Sequence, residues 1–128
     1  MCGIGGSYLG ARAVIEALGN SENTCEIVFL GNHLSGGEYE KVFQKYKKKR
    51  VSACIVSKSG TTLETAISYR LVRNFLLTKY SQEEVRERIV TITDEKTGAL
   101  RAETQRQEYK SYVLPGNIGG RYSVLTAV

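Results

Sequence analysis

Four hydroxyl side chains, a lysine and a glycine stand together in the segment SKSGTT, residues 57–62. The segment follows an apolar, β-branched run and precedes a segment with helical period, so it occupies a strand-to-helix turn. Hydroxyls can donate to phosphate oxygens, glycine allows close approach of the main chain, and the following helix directs its positive end at the same place. The turn is therefore predicted to bind phosphate through Ser57, Lys58, Ser59, Gly60, Thr61 and Thr62.

An ordinary helix N-cap is the alternative explanation for this turn, because serine and threonine are favoured capping residues. A single cap requires a single hydroxyl, whereas the segment has four hydroxyls within six residues. The density of hydroxyls favours an anion site.

A second glycine-rich turn, GIGGSYLG, begins at Gly3. The dinucleotide fingerprint G-x-G-x-x-G requires a third glycine where this chain has Tyr8, and Gly31 and Asn32 replace the acidic ribose ligand. No G-x-x-x-x-G-K-[ST] segment occurs either. The remaining prediction is a flexible turn whose Gly6 and Ser7 lie beside the segment 57–62, which we call the phosphate turn. A tight turn without a ligand also explains the glycines, but explains the serine less readily.

Apolar β-rich runs alternate with segments of helical period along the chain. The predicted strands are 26–31, 51–57, 88–93 and 109–114. Two helical stripes are Ala11, Val14, Ile15 and Leu18, and Leu63, Ala66, Ile67, Leu71 and Phe75; capping boxes are predicted for Ser35 with Glu38 and Ser81 with Glu84. Continuously apolar strands are typical of parallel sheets covered on both faces. The predicted fold is therefore α/β, a three-layer α/β/α sandwich with a doubly wound parallel sheet.

Composition places the chain among ordinary globular domains, with 128 residues, 41% hydrophobic residues and a formal charge of +5. The basic tract 45–50 lies above the apolar stripe Tyr39, Val42, Phe43 and Tyr46, which favours a solvated helix over a nucleic-acid site. Cys2, Cys25 and Cys54 are widely spaced, which favours reduced thiols and no metal site. No membrane span or signal peptide is visible, so a cytoplasmic location is expected.

The ends of the sequence are not typical of domain ends. Only MCGI precedes the first glycine cluster, and RYSVLTAV stops where a helix is expected to begin. We therefore expect one domain over residues 1–128, truncated at both ends relative to a longer protein.

Four segments, GIGGSYLGARA, SKSGTTLET, TDEKTGALR and GGRYSVLTAV, resemble the glucose-6-phosphate isomerase family of the bacterial type. The resemblance covers nearly the whole chain and implies the first of two sugar-isomerase domains, with a sheet of about five parallel strands. It implies that Gly6, Ser7 and residues 57–62 hold the sugar phosphate, that Gly120 belongs to the substrate-binding residues, and that Arg121 lies beside the reacting carbons. Glucose 6-phosphate and fructose 6-phosphate are the implied ligands, and the longer protein is expected to be a homodimer; no cofactor or metal is predicted.

The family reaction transfers a proton between two sugar carbons through an enediolate, which requires a base and a cation for the oxyanion. The always-charged Arg121 suits the second role. The family's base lies downstream of the GGRYS segment, and His33, Glu64 and Asp94 receive no catalytic role, Asp94 being expected to cap the next helix. The chain alone is expected to be inactive. The alternative function is a sugar-phosphate-binding regulatory module without catalysis.

Overall fold

A parallel sheet forms the centre of the computed structural model, which describes residues 1–19, 25–120 and 122. Its strands, in spatial order, are β1 (Ala53–Val56), β2 (Ile89–Asp94) and β3 (Lys110–Leu114). In the parallel register, Val56 pairs with Ile92, which pairs in turn with Tyr112. The three corresponding sequence predictions are confirmed to within two residues at each end.

Two further segments extend the sheet beyond β1. Cys2 forms single parallel bridges to Leu30 on one side and to β1 on the other. The Leu30 N–H donates to the Met1 carbonyl (2.8 Å), and the Gly3 N–H donates to the Leu30 carbonyl (3.1 Å). The described residues thus form three strands and two bridged segments where about five strands were expected. The predicted strand 26–31 is wrong in extent, because only Leu30 is both bridged and buried.

Five α-helices connect these segments within the described residues. They are α1 (Leu9–Leu18), α2 (Gly36–Tyr46), α3 (Leu63–Leu77), α4 (Gln82–Arg88) and α5 (Ala99–Gln107). The capping box of α4 is confirmed, since the Ser81 hydroxyl accepts from the Glu84 N–H while the Glu84 carboxylate accepts from the Ser81 N–H. The helix start predicted at Ser35 is confirmed, because Ser35 is the N-cap of α2, but its capping box is wrong: Ser35 makes no side-chain cap, and the Glu38 carboxylate pairs with Lys41 instead. Among the described helices, none has the length and apolarity needed to cross a bilayer.

The hydrophobic core lies on one face of the sheet. It combines alternate strand residues such as Ile55 and Ile89 with residues of α2, α3, α4 and α5. No residue of α1 is buried, and Val14 and Leu18 of its predicted stripe are exposed. The crossover from Cys2 to Leu30 runs opposite to the later crossovers, so right-handed connections place α1 on the other face. This arrangement is the expected three-layer α/β/α fold.

The buried face of α3 differs from the predicted apolar stripe. Its buried residues are Thr65, Ser68, Val72 and Leu76, whereas Leu63 is 62% exposed. The Ser68 hydroxyl donates to the Glu64 carbonyl (2.6 Å) and lies 2.5 Å from the Tyr39 hydroxyl. Because buried hydroxyls are tolerated when they are hydrogen-bonded, this network allows a polar residue to face the core.

The basic tract 45–50 lies at the exposed end of α2. The stripe beneath it is confirmed as core-facing: Tyr39 and Tyr46 are buried, and Val42 and Phe43 pack against the core. Lys45 and Lys49 contact the Glu26 carboxylate, at 2.5 and 3.5 Å. The hydrogen bond from Lys45 lowers the pKa of Glu26 to about 2. Part of the basic charge is therefore paired within the protein, and the absence of a nucleic-acid role stays a prediction.

The three cysteines are free thiols in different surroundings. Cys2 is 1% exposed and burial raises its pKa to about 11, whereas Cys25 is exposed. The thiolate is the reactive form, so at about pH 8 we expect a thiol reagent such as DTNB to modify Cys25 at least about 100-fold faster than Cys2. Burial also raises the pKa of Cys54, which should react at an intermediate rate.

Cys25→Ser is the control for this measurement and should remove only the fast phase. In urea, the three thiols should react at similar rates. Equal rates in the folded chain would contradict the placement of Cys2 in the centre of the sheet.

Candidate functional site

The carboxyl ends of the strands bring several turns to one edge of the sheet, where open parallel sheets bind ligands. These turns are residues 5–7, 57–62, 95–98 and 115–120. All predicted site residues within the described part of the chain lie in them: Gly6, Ser7, Ser57, Lys58, Ser59, Gly60, Thr61, Thr62 and Gly120.

The turn at residues 57–62 is held partly by its own hydroxyls. The buried Ser57 hydroxyl accepts from the Gly60 N–H (3.0 Å), which closes the turn. The Ser59 hydroxyl accepts from the Thr61 N–H (3.2 Å) and lies 2.8 Å from the Thr61 hydroxyl. Ser59 and Thr61 are exposed. Ser57 therefore shapes the turn, while the next two hydroxyls face solvent as a bonded pair.

Helix α3 begins directly after this turn, and its first N–H groups have no hydrogen-bond acceptor within the helix. Its first internal hydrogen bond runs from the Ala66 N–H to the Thr62 carbonyl (2.9 Å). The N–H groups of residues 63–65 therefore have no acceptor inside the helix. Thr62 occupies the N-cap position, but its side chain makes no capping bond. A side-chain cap does not explain Thr62, and the arrangement is one that can receive an anion.

The turn rests on the start of α5 through two glycines. The Ser59 carbonyl accepts from the Ala99 N–H (2.8 Å). Gly60 has a φ of +72°, and a Cβ there would lie 2.1 Å from the Leu100 nitrogen. Gly98 has a φ of +100°, and a Cβ there would lie 2.5 Å from the Ser59 oxygen. Gly98 was not among the predicted site residues, although a glycine directly before a helix was a visible signal.

Ser7 reaches the same edge from the first glycine turn. A Cβ placed on Gly3 would lie 3.2 Å from the Ser7 Cβ and 3.3 Å from the Val56 carbonyl oxygen. Val56 directly precedes Ser57, so the two turns are neighbours. Gly6 lies in the short 3₁₀ helix Gly5–Ser7 and is half-buried.

The Lys58 ammonium is bonded within the protein. It donates to the carbonyls of Gly116 (2.5 Å) and Ile118 (3.0 Å) in the loop after β3. The Lys58 carbonyl accepts from the Asp94 N–H (3.2 Å) and the Thr93 hydroxyl (3.1 Å) at the end of β2. One residue thus connects the ends of three adjacent strands.

The loop after β3 leads toward the predicted catalytic residue. Gly120 is exposed, and the flanking turn includes a hydrogen bond from the Tyr122 N–H to the Gly119 carbonyl (2.9 Å). Arg121 lies outside the described residues. Its catalytic role stays a prediction.

The three residues considered as possible bases, Asp94, His33 and Glu64, lie outside the turn 57–62. Asp94 accepts from the N–H groups of Lys96 (2.9 Å) and Thr97 (3.0 Å), which lowers its pKa, so it is a weak base. The expectation that Asp94 caps the next helix is wrong, because it closes the preceding turn and α5 has Gly98 at its N-cap. The half-buried His33 ring packs edge-on against Tyr39, and Glu64 lies in the first turn of α3. Within the described ranges, no group of three potential metal ligands occurs.

A cavity of about 390 Å³ opens between α3 and α5, beside Ser57 and Gly60. Its wall includes Tyr69, whose hydroxyl donates to the Glu103 carboxylate (2.7 Å). Burial raises the pKa of Tyr69, so this hydroxyl stays protonated. The cavity is large enough for a phosphate group, and it adjoins the turn 57–62 on its helical side.

A parallel sheet between helical layers, with hydroxyl-rich and glycine-rich turns at its carboxyl edge, defines an α/β/α domain of the sugar-isomerase type. The chain belongs to the phosphoglucose isomerase family, whose model matches residues 1–128. The resemblance noted in the sequence is therefore confirmed at the level of the family.

Relatives and a solved structure agree with this assignment. The chain is 49% identical over 130 residues to the glucose-6-phosphate isomerase of Staphylococcus saprophyticus and 45% identical over 135 residues to that of Shouchella clausii. Each match covers 98% of this chain and 29% or 30% of the relative. The crystal structure of a hypothetical protein from Thermus thermophilus matches with a TM-score of 0.88 and 32% identity, over 98% of this chain and 29% of that one. The chain thus spans less than a third of the length of these proteins.

Proposed function

We propose that this chain is the phosphate-binding domain of a glucose-6-phosphate isomerase, which interconverts glucose 6-phosphate and fructose 6-phosphate in glycolysis and gluconeogenesis. The observation that carries the proposal is the start of α3, where open N–H groups follow Thr62, a threonine without a capping bond. Ser7 lies next to the same strand end. Hydroxyls and N–H groups at a helix N-terminus suit a phosphate dianion.

The phosphate would fix one end of the sugar and leave the reacting carbons to other residues. The Thr62 hydroxyl and the α3 N–H groups would bind the phosphate oxygens, with the hydroxyls of Ser7, Ser59 and Thr61 around them. Arg121, which follows the exposed Gly120, would stabilise the enediolate oxygens as the proton moves between carbons. The phosphate contacts would thereby hold the reacting carbons in a fixed orientation relative to the catalytic groups.

The base for the proton transfer would come from outside these 128 residues. Asp94 is held by two N–H groups, and neither His33 nor Glu64 is part of the hydroxyl-rich turn. The proposal includes a cytoplasmic location and a homodimer for a protein of the length of the relatives. A regulatory sugar-phosphate module would use the same phosphate site without a base.

Phosphate binding by the ¹⁵N-labelled chain tests the proposal. We expect inorganic phosphate and fructose 6-phosphate to shift the amide signals of residues 62–65 and Ser7, with a Kd on the order of 1 mM. Thr62→Val should weaken phosphate binding roughly 10-fold, because it removes one hydrogen bond to a charged group.

Thr78→Val is the matched control. Thr78 lies at the other end of α3, where its hydroxyl donates to the Phe75 carbonyl (2.7 Å), so phosphate affinity should be unchanged. Phosphate-induced shifts confined to other surfaces, or equal effects of the two substitutions, would overturn the site.

A further inference from the structure

The Lys58 side chain joins the phosphate turn to a loop about sixty residues further along the chain. Its ammonium donates to the Gly116 and Ile118 carbonyls, at 2.5 and 3.0 Å. An ammonium has three N–H donors, and two of them are thereby used. Moving this group onto a phosphate would break both bonds, of which the one to Ile118 is partly buried and the one to Gly116 is exposed.

The main chain at Lys58 is also hydrogen-bonded. Its carbonyl accepts from both Thr93 and Asp94 at the end of β2. The Asp94 carboxylate accepts from the Lys96 and Thr97 N–H groups through Oδ1, and the ammonium of Lys58 donates to the loop carbonyls instead of to this carboxylate. A lysine whose carbonyl is anchored to the end of β2 can hold the loop that its ammonium contacts in a fixed position relative to that strand.

We propose that Lys58 is a positioning residue: its ammonium holds residues 116–118 against the phosphate turn, so that the segment leading to Gly120 starts from a fixed point. This inference rests on the proposed function, because the segment continues into Arg121. It assigns the Lys58 side chain to the loop and leaves the phosphate to the hydroxyls and N–H groups. A misplacement of about 1 Å at a reacting group can lower a rate roughly 100-fold, so the loop's position has a direct bearing on turnover.

Lys79 provides a matched control within the same chain. Its ammonium also donates to two main-chain carbonyls, those of Tyr46 (2.8 Å) and Lys49. It lies just beyond the end of α3, which is 15 residues long, so a helix of roughly 22 Å separates it from the phosphate turn. Lys79→Met removes the same kind of contact without affecting the carboxyl edge of the sheet.

The first measurement uses the 128-residue chain with ¹⁵N-labelled glycine. Lys58→Met should shift the amide signals of Gly116 and Gly119, and in the uniformly labelled chain it should speed hydrogen exchange of the Ile118 N–H, which donates to the Pro115 carbonyl (3.1 Å), at least about 10-fold. The Kd for inorganic phosphate should change less than about 3-fold, since the hydroxyls and N–H groups remain. Lys79→Met should leave both readouts unchanged.

The second measurement uses a chimera in which this chain replaces the aligned stretch of the Staphylococcus saprophyticus isomerase. Lys58→Met should lower kcat roughly 10- to 100-fold with KM nearly unchanged. Lys58→Arg, which retains the charge and several donors, should recover part of kcat, and Lys79→Met should have no effect.

Three results would contradict either the positioning role of Lys58 or the proposed function. If Lys58→Met weakens phosphate binding more than 10-fold while the loop glycines keep their signals, the lysine is a phosphate ligand. If the loop glycines respond but the unsubstituted chain binds no phosphate, the contact between lysine and loop exists and the proposed function fails. If neither loop nor kcat responds, the positioning role is wrong.

Discussion

The 128-residue chain, purified by itself, is expected to bind fructose 6-phosphate weakly and to show no measurable conversion to glucose 6-phosphate. Contacts to the phosphate bind substrate and transition state alike, so they do not lower the barrier from the bound state. Proton transfer requires a positioned base, and loss of general acid–base catalysis alone lowers a rate roughly 10²- to 10⁴-fold. A coupled isomerase assay at high chain concentration measures this directly.

The chimera adds the remainder of the Staphylococcus saprophyticus isomerase to this chain and is expected to turn over. In that chimera, Arg121→Ala should lower kcat roughly 10²- to 10³-fold, as expected for removal of an oxyanion-stabilising group. Thr62→Ala should chiefly raise KM, because it removes binding shared by substrate and transition state. Arg50→Ala, in the exposed basic tract, is the control and should leave both constants unchanged.

Several outcomes would revise this mechanism. Robust turnover by the isolated chain would mean that Asp94, Glu64 or His33 supplies a base. An Arg121→Ala chimera that retains full kcat would remove the arginine from the reaction. A chimera that folds and binds phosphate but does not turn over would favour the regulatory module.

Gly60→Ala is expected to destabilise the chain strongly. The residue has a φ of +72°, and its new Cβ would lie 2.1 Å from the Leu100 nitrogen of α5. A strained φ and an overpacked contact together cost about 2 to 6 kcal/mol, a large fraction of the stability of a small domain. The free energy of unfolding, measured by urea denaturation and circular dichroism, reports this change.

Gly36→Ala is the matched control for Gly60→Ala. Gly36 is the first residue of α2, and a Cβ there would have no neighbour within 4 Å. We expect it to leave stability unchanged or to raise it by less than about 1 kcal/mol. A Gly60→Ala chain within about 0.5 kcal/mol of the unsubstituted chain would show that the turn does not press on α5.

Local pattern was enough to predict the three main strands, the helix starts at Thr62 and Ser81, and the order of the elements. These features depend on neighbouring residues: β-branched apolar runs, capping hydroxyls and helical periodicity act over a few positions. The position of the turn 57–62 at a strand end followed from the same information. The resemblance to a known family then indicated which ligand such a turn would hold.

Tertiary contacts decided the features that join distant parts of the chain. The sequence does not show that the Lys58 ammonium binds Gly116 and Ile118, because those partners are 58 and 60 residues away. Nor does periodicity predict that Ser68 faces the core, since its burial depends on a hydroxyl of α2. The exposure of α1 likewise depends on which face of the sheet its crossover occupies. Each of these depends on a partner brought near only when the sheet assembles, and local propensity contains no information about that partner.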